Sequence, residues 1–134
     1  MSNGYVLADT NSVVYAYRAG GPDLLDQYIK LATESDRQFA ITETVRQEVK
    51  KGPLGEELLR YLADRNVPVI SAPRTEQQLT AGAVSPKSAG EVSMLEVATK
   101  ESEAGRVTRI WSDDKYFDSD QIMRGRPDAH RTMS

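Results

Sequence analysis

The chain alternates short, continuous apolar runs with longer segments in which apolar residues recur every three or four positions, the two periodicities of strands and helices. Runs of the first kind are "GYVLA" (4–8), "QFAI" (38–41), "VPVIS" (67–71) and "VTRIWS" (107–112), each a predicted strand. "SVVYAYRAGG" (12–21) predicts a short helix closed by glycine. "PDLLDQYIKLATES" (22–35) predicts a second, opening on Pro-Asp with Leu24, Leu25, Tyr28, Ile29 and Leu31 at helical spacing. "TETVRQEVKK" (42–51) reads as a helix stopped by Gly52-Pro53, and "LGEELLRYLADRN" (54–66) as another with Leu54, Leu58, Leu59, Tyr61 and Leu62 on one side. The polar stretch 72–88 offers a short helix around Glu76 to Ala81. "AGEVSMLEVATKESEAG" (89–105) predicts a helix with Val92, Leu95, Val97 and Ala98 inward.

Strands separated by helices in this order predict an α/β fold, with a central, mainly parallel sheet of four to five strands flanked by helices. The 134 residues suit a single domain with a sizeable core. No internal repeat or low-complexity tract interrupts it.

Composition narrows the chemistry. Cysteine is absent, which excludes disulfides, thiolate nucleophiles and thiolate-bound metal. The single histidine, His130, lies close to the C-terminus, a poor place for a histidine-dependent triad. What remains is carboxylates, 20 of them against 17 basic side chains, for a net charge of −3. That balance does not advertise nucleic acid, although residues 121–134 form a basic tail with Arg124, Arg126 and Arg131 against Asp128. The N-terminus lacks the basic start and apolar stretch of an export signal, and no run is long enough for a membrane span. A cytoplasmic protein is expected, with delivery into a competitor cell left open.

The acids fall at junctions. Asp9 ends the first predicted strand, and Asp113 and Asp114 end the last. Glu43 and Glu48 follow the second strand, and Glu91 opens the helix before the last one. In open parallel sheets such junctions gather in one crevice. Carboxylates crowded there repel each other unless a cation intervenes. Magnesium or manganese prefers oxygen ligands, polarises a phosphoryl oxygen and activates water, so metal-assisted phosphodiester hydrolysis is the expected chemistry. Thr10 and Asn11 would orient the acid or a metal-bound water. Each acid also has an ordinary role: Glu91 completes a capping box with Ser88, Glu43 suits a helix N-terminus, Glu48 suits an exposed helix face, and Asp113 and Asp114 suit a turn.

Taken together, "VLADTN", "ITETVRQEV", "GEVSMLEVA" and "IWSDDKYF" resemble, in order and spacing, the PIN-domain family of metal-dependent ribonucleases, which includes VapC-type toxins. The resemblance implies a PIN-like nuclease domain over residues 1–120, with 121–134 as a basic tail. It implies catalytic acids at Asp9, Glu48, Glu91 and Asp114, with Asp9, Glu91, Asp114 and Asp113 as metal ligands and Asp113 a near equal of Asp114. Glu48 takes precedence over Glu43 because Thr42, Val45 and Glu48 match the family's hydroxyl, aliphatic and acid positions. Thr10, Asn11 and Ser112 become supporting residues. Arg109, Lys115, Arg124 and Arg126 are candidates for RNA phosphate contact.

The implied cofactor is Mg2+ or Mn2+. The implied substrate is RNA, tRNA included, and the implied partners are a small antitoxin or immunity protein and a second copy of the chain. The competing expectation is a catalytically inactive PIN-like module that binds RNA or protein. A receiver-like phosphotransfer domain would also put Asp at strand ends, but requires a lysine at a later strand end for which the chain has no convincing candidate.

Overall fold

The structure, a computed structural model, describes residues 4–112 and 115–118. The chain forms β1 (Tyr5–Ala8), α1 (Thr10–Glu34), β2 (Gln38–Thr42), α2 (Glu43–Lys51), α3 (Gly55–Asp64), β3 (Val69–Ile70), α4 (Pro73–Thr80), α5 (Pro86–Glu103), β4 (Arg109–Ser112) and β5 (Lys115–Asp118). These build the expected α/β architecture, with one sheet in the order β3-β2-β1-β4-β5. The strands β3, β2, β1 and β4 are parallel, with Leu7 opposite Ala40 on one side and Ile110 on the other. The last strand, β5, returns antiparallel, Ser112 opposite Lys115. This is consistent with the single PIN-like domain that the resemblance implies.

Successive strand residues point to opposite faces, and two cores result. Val6, Ala8, Phe39, Ile41 and Trp111 pack with α1, α2 and α3. Leu7, Ala40 and Ile110 pack with Met94 and Val97 of α5 and with Ala72. From β1 the chain moves by way of α1 to β2 on one side, and from β3 it returns by way of α4 and α5 to β4 on the other side of β1. The β1/β4 seam is therefore a topological switch point, where the connections leaving the carboxyl ends diverge and leave a crevice.

Several expectations are corrected. The two helices expected over 12–21 and 22–35 are one, α1, which continues through Gly20, Gly21 and Pro22. The sequence reads as two because Gly20-Gly21 is a stop signal and Pro22-Asp23 a start signal, and the buried face also changes phase there. Ala16 and Leu25 are both fully buried, yet nine positions amount to about two and a half turns, which places them on opposite sides of an ideal helix. Leu31, counted on the apolar face, is 52% exposed. The expected third strand, 67–71, shrinks to β3, because pairing with β2 starts only at the Pro68 carbonyl, which accepts from Ile41 N.

The helix expected from residue 89 begins at Pro86, with Ser85 as its cap accepting from Lys87 N. Glu91 therefore lies beyond the first turn, and the Ser88–Glu91 capping box does not form. Val97 and Ala98 are buried as expected, but the rest of the inward stripe is Ala89, Gly90, Ser93 and Met94. Val92 and Leu95 sit on the flank that faces α4.

The short polar helix α4 has no cap of its own, since Ala72 precedes it. Glu96 of α5 supplies one across space, accepting from Arg74 N (3.1 Å), Thr75 N (2.7 Å) and Thr75 Oγ1 (2.7 Å). Burial alone would raise the Glu96 pKa, but these hydrogen bonds and Arg74 outweigh it and hold the carboxyl below its usual range. A depressed folded-state pKa stabilises the protein above the ordinary glutamate value, and that stability is lost as pH falls through the folded value. Glu96→Gln should therefore cost about 1 kcal/mol at pH 7, as loss of a helix cap does. In urea titrations the gap from wild type should close as pH falls below about 4.

Candidate functional site

The carboxyl edge of β1 is built around Asp9. Its backbone N–H donates to the Trp111 carbonyl at 3.1 Å, extending the β1–β4 ladder past the end of β1. Its φ of −82° and ψ of 170° keep it extended while its Oδ1 accepts from Ser12 N at 2.7 Å and caps α1. Capping is a sufficient local reason for an acid here. It also fixes a carboxylate at the switch point.

Thr10, the first residue of α1, donates its hydroxyl to Glu48 Oε1 at 2.8 Å. Glu48 stands on α2, which starts at the carboxyl end of β2 with Thr42 as its cap, so the residues after two neighbouring strands meet. The Glu48 carboxyl is half-buried. Its pKa is raised, first by burial and also by the negative charge of Asp9, with the Thr10 hydrogen bond and Lys51 acting the other way. Glu43 has a different fate: Arg46 donates to both its oxygens, at 2.8 and 2.7 Å, Gln47 adds a third bond, and its pKa falls. Glu43 is thus neutralised on its own helix, whereas Glu48 meets the Thr10 hydroxyl and the charge of Asp9.

On the far side of Glu48 lies α5. A β-carbon at Gly90 would stand 2.5 Å from Glu48 Oε1 and 3.5 Å from its Cδ, so the carboxyl rests against bare helix backbone. Glu91, the next residue, is exposed. Asn11 is exposed as well, which leaves Thr10 as the polar neighbour that meets an acid. Arg109 begins β4, at the end of that strand remote from the carboxyl edge. Ser112 ends β4 and pairs with Lys115 across to β5. Asp113, Asp114, Arg124, Arg126 and the basic tail lie outside the described residues.

One part of the site was not anticipated from the sequence. Thr42 Oγ1 accepts from Val45 N at 3.1 Å and lies 2.7 Å from Ser93 Oγ, while Ser93 Oγ donates to the Gly90 carbonyl at 2.6 Å. The one Ser93 hydroxyl proton is committed to Gly90, so Thr42 is the donor in the middle link. All three links are buried or nearly so and tie the start of α2 to α5. Thr42 was legible as a small hydroxyl residue before a helix. Ser93, inside an otherwise apolar stripe, carried no local signal.

The donor set is oxygen only, two carboxylates and a hydroxyl, the ligand chemistry of magnesium and manganese. Asp9 and Glu48 lie close enough for one charge to disfavour the other, a situation that a divalent cation relieves. Among the described residues no three acidic side chains gather to hold a metal by themselves.

Neutralising Glu48 should separate stability from function. Glu48→Gln keeps an acceptor for Thr10 and removes the repulsion from Asp9. In chelator its melting temperature should equal or exceed that of wild type, whereas Thr10→Val, which strips a hydrogen bond from a half-buried charge, should cost about 1.5–3 kcal/mol. No protein-family model, curated protein or solved structure matches the chain.

Proposed function

We propose that the chain is a divalent-metal-dependent endoribonuclease that hydrolyses RNA phosphodiester bonds. The observation that carries this reading is the pairing of Asp9 with the Thr10-bonded, half-buried Glu48 at the switch point of a parallel sheet. Structural acids are usually exposed or neutralised, as Glu43 is; Glu48 is neither, and a raised carboxyl pKa in a crevice is a signature of functional sites.

In this reading Asp9 and Glu48 would hold Mg2+ or Mn2+ together with the Asp113–Asp114 pair that follows β4, and Glu91, exposed on α5 and not gathered with Asp9 and Glu48 among the described residues, would have to swing in to join them. The ion, when bound, supplies Lewis-acid polarisation of the phosphoryl group and lowers the pKa of water. The residues of the chain position it. The helix-capping bond holds the Asp9 carboxylate, the Thr10 hydroxyl holds one oxygen of Glu48, and Glu48 would be the group to take a proton from the attacking water. Lys115, Arg124 and Arg126 are the candidates for phosphate contact. The PIN resemblance extends the proposal to a toxin acting on RNA such as tRNA, restrained by a small antitoxin or immunity protein and paired with a second copy. No helix among the described residues is long and apolar enough to cross a membrane.

The test uses Asp9→Asn, because Asn caps helices as well as Asp does and spares the fold. Wild type should cleave an RNA pool in Mn2+, and Mn2+ should raise its melting temperature, as a ligand of the native state must. Asp9→Asn should lose the Mn2+-dependent shift and at least about a hundredfold in cleavage. Undiminished cleavage by that variant refutes the assignment. A wild-type chain that binds RNA without cleaving it or responding to Mn2+ would instead be an inactive binding module.

A further inference from the structure

We infer that Gly90 is a positioning residue for Glu48, one jaw of a clamp between α2 and α5 that sets where the carboxyl lies; as a statement about catalysis this rests on the nuclease reading, but as a statement about geometry it does not. Glycine inside a helix is unfavourable relative to alanine. Gly90 lies in the interior of α5, is buried, and is not among the glycines with positive φ. Its backbone conformation therefore makes no demand for glycine.

The contact does. A β-carbon would meet Glu48 Oε1 at 2.5 Å, a distance that real β-carbons essentially never show, whereas the next neighbour, Val45 Cγ2, stands at an ordinary 3.7 Å. The clash is thus specific to the acid, and to the same oxygen that accepts from Thr10. A side chain at 90 must displace that oxygen, the end of a flexible side chain held by Thr10, or push α5 away from α2.

The second course is closed by the hydroxyl chain. Val45 N–H, Thr42 Oγ1, Ser93 Oγ and the Gly90 carbonyl are linked in series, so the carbonyl of Gly90 is tied to α2 through Ser93 and Thr42. Separation of the helices would leave buried hydroxyls without partners, which is costly. With the helices held, the carboxyl has to move. Glu48 is therefore located by three neighbours: Thr10 in front, Gly90 behind, and a helix spacing fixed by Thr42 and Ser93.

The experiment is a double-mutant cycle in metal-free protein, Gly90→Ala in wild-type and in Glu48→Ala backgrounds, followed by thermal unfolding. In the Glu48→Ala background Gly90→Ala should raise the melting temperature by about 3 °C, the ordinary gain of alanine over glycine in a helix. With Glu48 present it should give no gain or a loss. Mn2+ is then added to the single variant: if Gly90 positions Glu48, Gly90→Ala should lose much of the Mn2+-dependent shift and at least about tenfold in RNA cleavage. Equal shifts in the two backgrounds overturn the clamp, and so does failure of both Gly90→Ala chains to fold, whereas a single variant that unfolds and is rescued by Glu48→Ala supports it. If wild type cleaves no RNA, the cycle still decides the clamp, so the two failures are distinguishable.

Discussion

The backbone of Asp9 carries the β1–β4 ladder one hydrogen bond further, to the carbonyl of Trp111, while its carboxylate turns to accept from Ser12 N and starts α1. Both bonds are needed for the strand to become a helix within a single residue, and both fix the side chain at the seam where the sheet connections diverge. Thr10 follows at the first helical position because Asp9 has set the phase of that helix, and so its hydroxyl reaches α2. The meeting of α1, α2 and α5 at the carboxyl edge descends from that one junction.

Electrostatics at this edge opposes stability and suits chemistry. Four other acids among the described residues are matched: Glu43 with Arg46, Asp26 with Arg65, Glu101 with Arg106, and Glu96 with backbone donors of α4. In each, a hydrogen-bonded partner holds the carboxyl pKa down. Among the described carboxyls whose pKa departs from its ordinary value, Glu48 alone moves upward, because burial and Asp9 together exceed what Thr10 and Lys51 supply. The Glu48 carboxyl is thus under-compensated where those of Glu43, Asp26, Glu101 and Glu96 are not.

Most of the strands and helices were legible because their apolar residues keep one periodicity from end to end: β1, β2, α2 and α3 lie within a residue or two of where the pattern puts them. Failures occur where the determining contact is remote. The Gly20-Gly21 stop and the Pro22-Asp23 start imply a break that α1 does not have, and its buried face shifts by about half a turn between Ala16 and Leu25. Glu96 starts α4 from another helix, and no local pattern announces a cap 21 residues away. The start of α5 at Ser85-Pro86 did follow the usual capping signal, and was overshadowed by the stronger apolar pattern after residue 89. At the site, the strand-end position pointed to Asp9 and the resemblance to Thr10 and Glu48, whereas the contacts of Gly90 and Ser93 arise only once α2 and α5 meet.

Trp111 is the lone tryptophan and is fully buried, with its ring 4.0 Å from that of Tyr28 and edge-on to Phe39 at 6.1 Å. Its own carbonyl receives the Asp9 N–H, so the protein carries a single indole directly beneath the crevice. Intrinsic fluorescence from this chain consequently reports on one spot. Loosening of the β1–β4 seam lets water reach the indole and reddens its emission, whereas an encounter confined to the outer surface leaves the spectrum unchanged.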